Sequence, residues 1–286
     1  MANLKEIRSR ISSVKSTRQI TSAMKMVSAA KLRKAQNRIE QLRPYADQLK
    51  HILSYVGQSM AEDKDFVYSR QRPVKNVMIV MISSNKGLCG SFNANVVKRT
   101  ISEIQDSYQD ANVDIFAIGS KAAEISKKHN FNIVKKETEI FDELSFETAS
   151  EIAGNLMRDF VNEKYDKIIC IYNSFVNAAA QRLKAERFLP VEISEEEKES
   201  SNYIFEPDKS TITRDLIPRS LKTQFFKALL DSNASEHGAR MTSMQQATDN
   251  ATDLLEDITL QYNKARQSAI TNEILEIVSG ANALKG

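Results

Sequence analysis

From Met1 to Arg43 the chain contains neither glycine nor proline, and between Pro218 and Leu284 only Gly238 and Gly280 break the run. Each stretch repeats apolar residues at helical spacing. The first carries Leu4, Ile7, Ile11, Val14, Ile20, Met24, Val27, Leu32, Ala35, Ile39 and Leu42, and continues through Leu49, Leu53 and Val56. Steps of three and four residues mark a helix with one apolar seam. A strict heptad counted from Ile7 would place Arg18, Thr21, Lys25 and Ser28 in that seam, so the stripe is expected to shift there. Pro44 should kink the helix or begin a new one at its first turn. At 1.5 Å per residue the arm reaches roughly 84 Å by Val56, and the C-terminal arm roughly 100 Å by Leu284. A narrow apolar stripe does not stabilise a lone helix of such length. The economical arrangement is an antiparallel coiled coil of the two arms, with whatever lies between them inserted at one end.

What lies between changes period. The runs Asn76–Ile82, Val113–Gly119, Asn132–Lys136 and Lys167–Asn173 read as strands, and the stretches Ala94–Tyr108, Ser120–His129 and Glu147–Lys164 between them read as helices. That alternation predicts a mainly parallel α/β sheet. The fold expected is therefore mixed: a long antiparallel coiled coil of N- and C-terminal helices with an inserted Rossmann-like α/β domain. Its parts are an N-terminal helix over 1–57, the α/β domain over 74–195, an acidic connecting loop with a short helix over 196–217, and a C-terminal helix over 218–286. The C-terminal arm is the longer, so its apolar tip projects roughly 15 Å beyond the N-terminus, and such a tip calls for burial in another protein.

The net charge of +3 conceals an asymmetry, for residues 1–50 hold 12 Lys/Arg against 3 acids. A basic arm expects an acidic partner, although a solvated face is the plainer reading. No apolar run approaches the length of about 20 residues that a bilayer requires, and the N-terminus has no secretory apolar core. Two distant cysteines, Cys89 and Cys170, fit a reducing compartment and small buried hydrophobes better than a disulfide. A soluble intracellular protein is expected.

The stretch Ser83–Val96, SSNKGLCGSFNANV, poses the sharpest question. A strand, a loop with two glycines and a helix often hold phosphate. Here the spacing fits neither GxxxxGK(S/T) nor GxGxxG, and Lys86 precedes the glycines. The loop reads as a βα turn. No spacing assembles a catalytic triad or a metal site, no cofactor is implied, and no nucleic-acid-binding pattern accompanies the basic arm.

Three segments together carry a resemblance: IRSRISSVKSTRQITSAMKMVSAAKLRKAQ, the loop SSNKGLCGSFNANV, and SEHGARMTSMQQATDNATDLLEDITLQYNKARQSAITNEILEIVSGANAL. In order and separation they resemble the gamma subunits of F-type, proton-translocating ATP synthases of bacterial type. The resemblance implies a non-catalytic central-stalk rotor that couples proton flow through the membrane c-ring to ATP synthesis or hydrolysis. Its partners would be the alpha and beta subunits of the catalytic hexamer, the epsilon subunit and the c-ring, with no nucleic acid and no membrane insertion. It would sit peripherally on the cytoplasmic face of the bacterial plasma membrane. Ile274, Leu275, Ile277, Val278, Ala281 and Leu284 would form an apolar bearing in the alpha/beta ring. Arg266, Gln267, Thr271 and Glu273 would form a polar catch with beta subunits. Arg8, Arg10, Lys15, Arg18, Lys25, Lys31 and Arg33 would face acidic beta loops, and Tyr203 and Phe205 would face the membrane ring. The redox-cysteine insertion of chloroplast relatives is absent from this sequence. A static coiled-coil adaptor and a stand-alone α/β enzyme are the readings from other classes.

Overall fold

A computed structural model of the chain describes residues 4–58, 67–129, 131–191 and 209–283. It divides into two compact units, one comprising residues 1–27 with 241–286 and the other Ser28–Arg240. The two long helices, α1 (Leu4–Gln58) and α5 (Lys209–Ala283), contribute to both.

In the first unit the helices run antiparallel. Arg8 donates to the Tyr262 hydroxyl at 2.8 Å and Thr248 Oγ1 to Thr21 Oγ1 at 2.8 Å, so an advance along α1 is a retreat along α5. The α5 side of the contact is Met244, Thr248, Ala251, Leu255, Ile258, Tyr262 and Ala265, buried or half-buried at steps of three and four. On α1 the expected shift of the stripe does not occur. Thr21 is buried and Arg18 and Lys25 are half-buried, while Ile20 and Val27 are 59% and 57% exposed. The heptad from Ile7 runs on through polar residues, because Thr21 is satisfied there by the Arg18 carbonyl and by Thr248. A buried hydroxyl with partners costs little, so seam register outweighs hydropathy.

The second unit is built on a five-stranded sheet in the order β3-β2-β1-β4-β5. Strands β1 (Asn76–Ile82), β2 (Asn112–Ile118), β3 (Asn132–Glu137) and β4 (Lys167–Phe175) are parallel. A fifth strand, β5 (Gln181–Leu189), pairs antiparallel with β4 and was not expected from the sequence. QRLKAERFL has no clean alternation, since much of it is only half-buried at the sheet edge. Helices α2 (Phe92–Ser107) and α3 (Ser120–Ser126) cover the face of Val77, Ile79 and Met81. Helix α4 (Phe146–Val161) lies over the opposite face, where Ile152 and Leu156 meet Met78 and Phe116. The βα turn after β2 needs Gly119, which has φ 92°; a Cβ there would lie 2.3 Å from the Ser83 carbonyl oxygen.

The α5 segment of this unit buries Leu221, Phe225, Leu229 and Leu230 and is also joined to β4 and β5 by polar groups. Gln224 Nε2 donates to Glu186 at 2.8 Å, Ser174 to the Asp231 carboxylate at 2.9 Å, and Ser235 to the Asn173 carbonyl at 3.0 Å. Phe225 adds an apolar contact to Phe188, their rings 5.8 Å apart. At Gly238 the helix comes so close to the β4–β5 turn that a Cβ would be 3.0 Å from the Ala178 carbonyl oxygen. Helix α5 begins at Lys209 and carries Pro218 inside it, so the short helix expected before 218 is its first part.

Candidate functional site

By the register of the first unit, Leu4 is level with roughly Arg266, and α5 continues to Ala283, about 25 Å further. Every residue from 266 to 282 is exposed. Among them Ile274, Leu275, Ile277 and Val278 are between 50% and 66% exposed, and Ala281 is exposed as well. At 100° per residue the apolar positions cover an arc of about 160°, wider than the seam of two paired helices. Leu284 lies outside the described residues, as do Tyr203 and Phe205.

The four polar residues below this tip are all exposed. Gln267 and Thr271 stand one turn apart, with Thr271 Oγ1 donating to the Gln267 carbonyl at 2.9 Å. Arg266 and Glu273 stack two turns apart on another side of the helix, about 120° away. By direction around the helix axis, Gln267 and Thr271 lie on the same side as the apolar arc, below it along α5, while Arg266 and Glu273 lie just outside its edge.

The basic residues of α1 do not behave as one solvated face. Arg8, Arg10 and Lys15 are exposed and Arg18 and Lys25 half-buried beside the seam. Arg8 also stacks over the Tyr262 ring, 5.8 Å from its centre, which together with their hydrogen bond holds it against α5. In the second unit Arg33 is exposed, while Lys31, though exposed, lies near enough to Glu236 and His237 to lower the pKa of both.

The glycine loop of the second unit answers its own question through polarity. A phosphate cradle presents backbone N–H groups. Here the carbonyls of Lys86 and Gly87 face a guanidinium instead: Arg240 Nη2 donates to them at 3.0 and 3.3 Å, and Nε to Gly87 again at 3.3 Å. The rest of the loop is tied to its own sheet. Asn93 accepts from the Ser84 amide at 3.0 Å and donates to Ser84 Oγ at 2.8 Å and Cys89 Sγ at 3.2 Å, while Asn85 bridges the Thr138 carbonyl and the Ser120 amide. Leu88, with φ 62°, projects from the turn and is 64% exposed.

Arg240 is itself buried, beside buried Glu236 and His237. Its Nη1 pairs with Glu236 Oε1 at 2.8 Å and lies 3.3 Å from His237 Nδ1. An arginine can only donate, so Nδ1 accepts and the imidazole is neutral. Burial, reinforced by Arg240 and Lys31, lowers the His237 pKa to about 4. Burial also pushes the Glu236 carboxyl up, with Arg240 pulling the other way. The sequence SEHGARM by itself assigns these three residues no role. The available signal was a run of small and charged residues where a helix otherwise carries large apolar ones. Burial likewise raises the Cys89 and Cys170 thiols, both of which are free.

The ATP synthase family model matches residues 3–284. The chain is 56% identical over 287 residues to the ATP synthase gamma chain of Christiangramia forsetii, and 54% identical over 289 residues to that of Flavobacterium johnsoniae, in each case covering 100% of both chains. Among solved structures it resembles a chain of the Tetrahymena thermophila mitochondrial ATP synthase central stalk and c-ring, with TM-score 0.60 and 26% identity over 80% of this chain and 99% of that one. A chain of the Euglena gracilis mitochondrial enzyme shares the fold, with TM-score 0.69 and 20% identity over 98% and 94%. The chain belongs to the family of ATP synthase gamma chains.

Proposed function

We propose that the chain is the central-stalk rotor of an F-type ATP synthase, a non-catalytic subunit that couples proton flow to ATP synthesis or hydrolysis by turning inside the alpha/beta hexamer. The observation that carries this reading is the unpaired end of α5, which runs about 25 Å beyond the level of Leu4 and carries the exposed apolar residues Ile274, Leu275, Ile277 and Val278. A wide apolar arc without a partner helix fits an enclosing sleeve, and apolar contact has no directional bonds to resist rotation. Ile274, Leu275, Ile277, Val278, Ala281 and Leu284 are the bearing. Arg266, Gln267, Thr271 and Glu273 are the catch on beta subunits, used at one rotary position. Two antiparallel helices wound as a coiled coil form the shaft. The Rossmann-like domain engages the epsilon subunit and the c-ring at the cytoplasmic face of the membrane, with Tyr203 and Phe205 among the residues that meet the ring.

The basic residues of α1 contact acidic loops of the catalytic subunits, where exposed ion pairs are weak enough to release. A shaft acts on a beta subunit only by interacting differently with its open and closed forms, and a shaft with different residues on each side does so as it turns. Among the described residues no helix is long and apolar enough to cross a membrane, which suits a peripheral subunit.

The test replaces Ile274 and Ile277 by Asp in the whole complex. Buried carboxylates without partners should reduce assembly and coupled synthesis severely, whereas Ala at both positions should have a smaller effect. Wild-type assembly and synthesis in the Asp variant would dismiss the bearing.

A further inference from the structure

Two of the sequence segments that mark this chain, SSNKGLCGSFNANV and SEHGARM, meet at one side chain. The Arg240 guanidinium spends its donors on the carbonyls of Lys86 and Gly87, on Glu236 Oε1 and toward His237 Nδ1. Replacing a buried ion pair by well-packed hydrophobic side chains is often neutral or stabilising. Stability alone therefore does not account for it; its distinctive output is geometry. The fork of an arginine fixes two carbonyls at once, which a compact ammonium does not do. The turn it holds is already fastened at its base to the sheet through Ser84, Asn85 and Asn93. Arg240 is the last residue of the second unit.

We propose that Arg240, held by Glu236, is a positioning residue of the rotor: it clamps the Lys86–Gly90 turn to α5 so that the turn, the sheet beneath it and the α5 segment of the same unit move as one body. The proposal rests on the rotor reading. With the clamp in place, a force on the turn or its exposed Leu88 passes directly into α5. Without it, the turn yields before the helix moves, and part of the rotation is lost as local deformation. The polar contacts at Gln224, Asp231 and Ser235 hold the sheet to the same helix, so the sheet stays docked when the clamp is removed.

The experiment uses the whole complex in sealed vesicles, comparing wild type, Arg240→Ala and Arg240→Lys. Hydrogen exchange is followed at the Ser84 and Phe92 amides, which bond to Asn93 Oδ1 and the Cys89 carbonyl. Proton pumping is measured per ATP hydrolysed. Loss of charge-assisted bonds should accelerate exchange at least about tenfold in the Ala variant, with a fall in pumping per ATP. The Lys variant keeps the charge beside Glu236 but not the fork, so it should show both effects in smaller measure and carries the test if the Ala variant does not assemble. Faster exchange with unchanged pumping per ATP overturns the proposal, as does a loss of coupling with unchanged exchange. Wild-type vesicles that hydrolyse ATP without pumping would instead refute the rotor reading itself.

Discussion

Replacing His237 by Gln should remove a specific part of the acid sensitivity of this fold. The imidazole is 9% exposed, packed beside Arg240 with Glu236, Lys31 and Lys86 nearby. Its pKa is about 4 in the folded chain, against an ordinary value of 6.5. A histidine with a depressed pKa contributes stability that is fully present above about pH 6.5 and is lost as pH falls toward 4, because only the unfolded chain takes up the proton. The difference of about 2.5 pH units corresponds to roughly 3 kcal/mol across that window. Glu236 and Asp231, both raised by burial, act in the opposite sense, since the folded chain protonates them first as pH falls. The measurement is therefore a difference: urea midpoints followed by circular dichroism from pH 7.5 to 4.5, wild type against His237→Gln. Gln offers Arg240 an acceptor and does not titrate. The wild type should lose stability faster below pH 6.5 than the variant. Nitrogen resonances of labelled histidine give a direct check, because the chain has only His51, His129 and His237. A His237 resonance that titrates at pH 6 or above, or parallel stability curves for the two proteins, would refute the reasoning.

Gly119→Ala should destabilise the second unit by at least about 2 kcal/mol, because the added Cβ meets the Ser83 backbone and φ is 92°; an unchanged urea midpoint would count against it. Alanine at Arg266, Gln267, Thr271 and Glu273 together should leave the helix content of the isolated chain unchanged, since all four are exposed. The same replacement should lower coupled ATP synthesis in vesicles, and synthesis at the wild-type rate would remove these residues from the catch.

Periodicity alone determined the two long helices and the first four strands. Their signals are local: almost no Gly or Pro interrupts the helical spacing of the arms, and the six apolar residues in NVMIVMI fit a covered strand of short length rather than an amphipathic helix. The lack of phosphate spacing in the glycine loop was equally legible. Three features were decided by tertiary structure. The seam of α1 kept its heptad through Thr21 because Thr248 of the facing helix supplies a partner, a contact 227 residues away in sequence. Strand β5 exists because β4 offers it an edge and Gln224 of α5 donates to its Glu186, not because QRLKAERFL alternates. The partner of the Lys86 and Gly87 carbonyls is Arg240, 154 and 153 residues further on. Hydropathy patterns register what a residue avoids, whereas a buried polar group is placed by the partner that satisfies it, and that partner is identified only once the chain has folded.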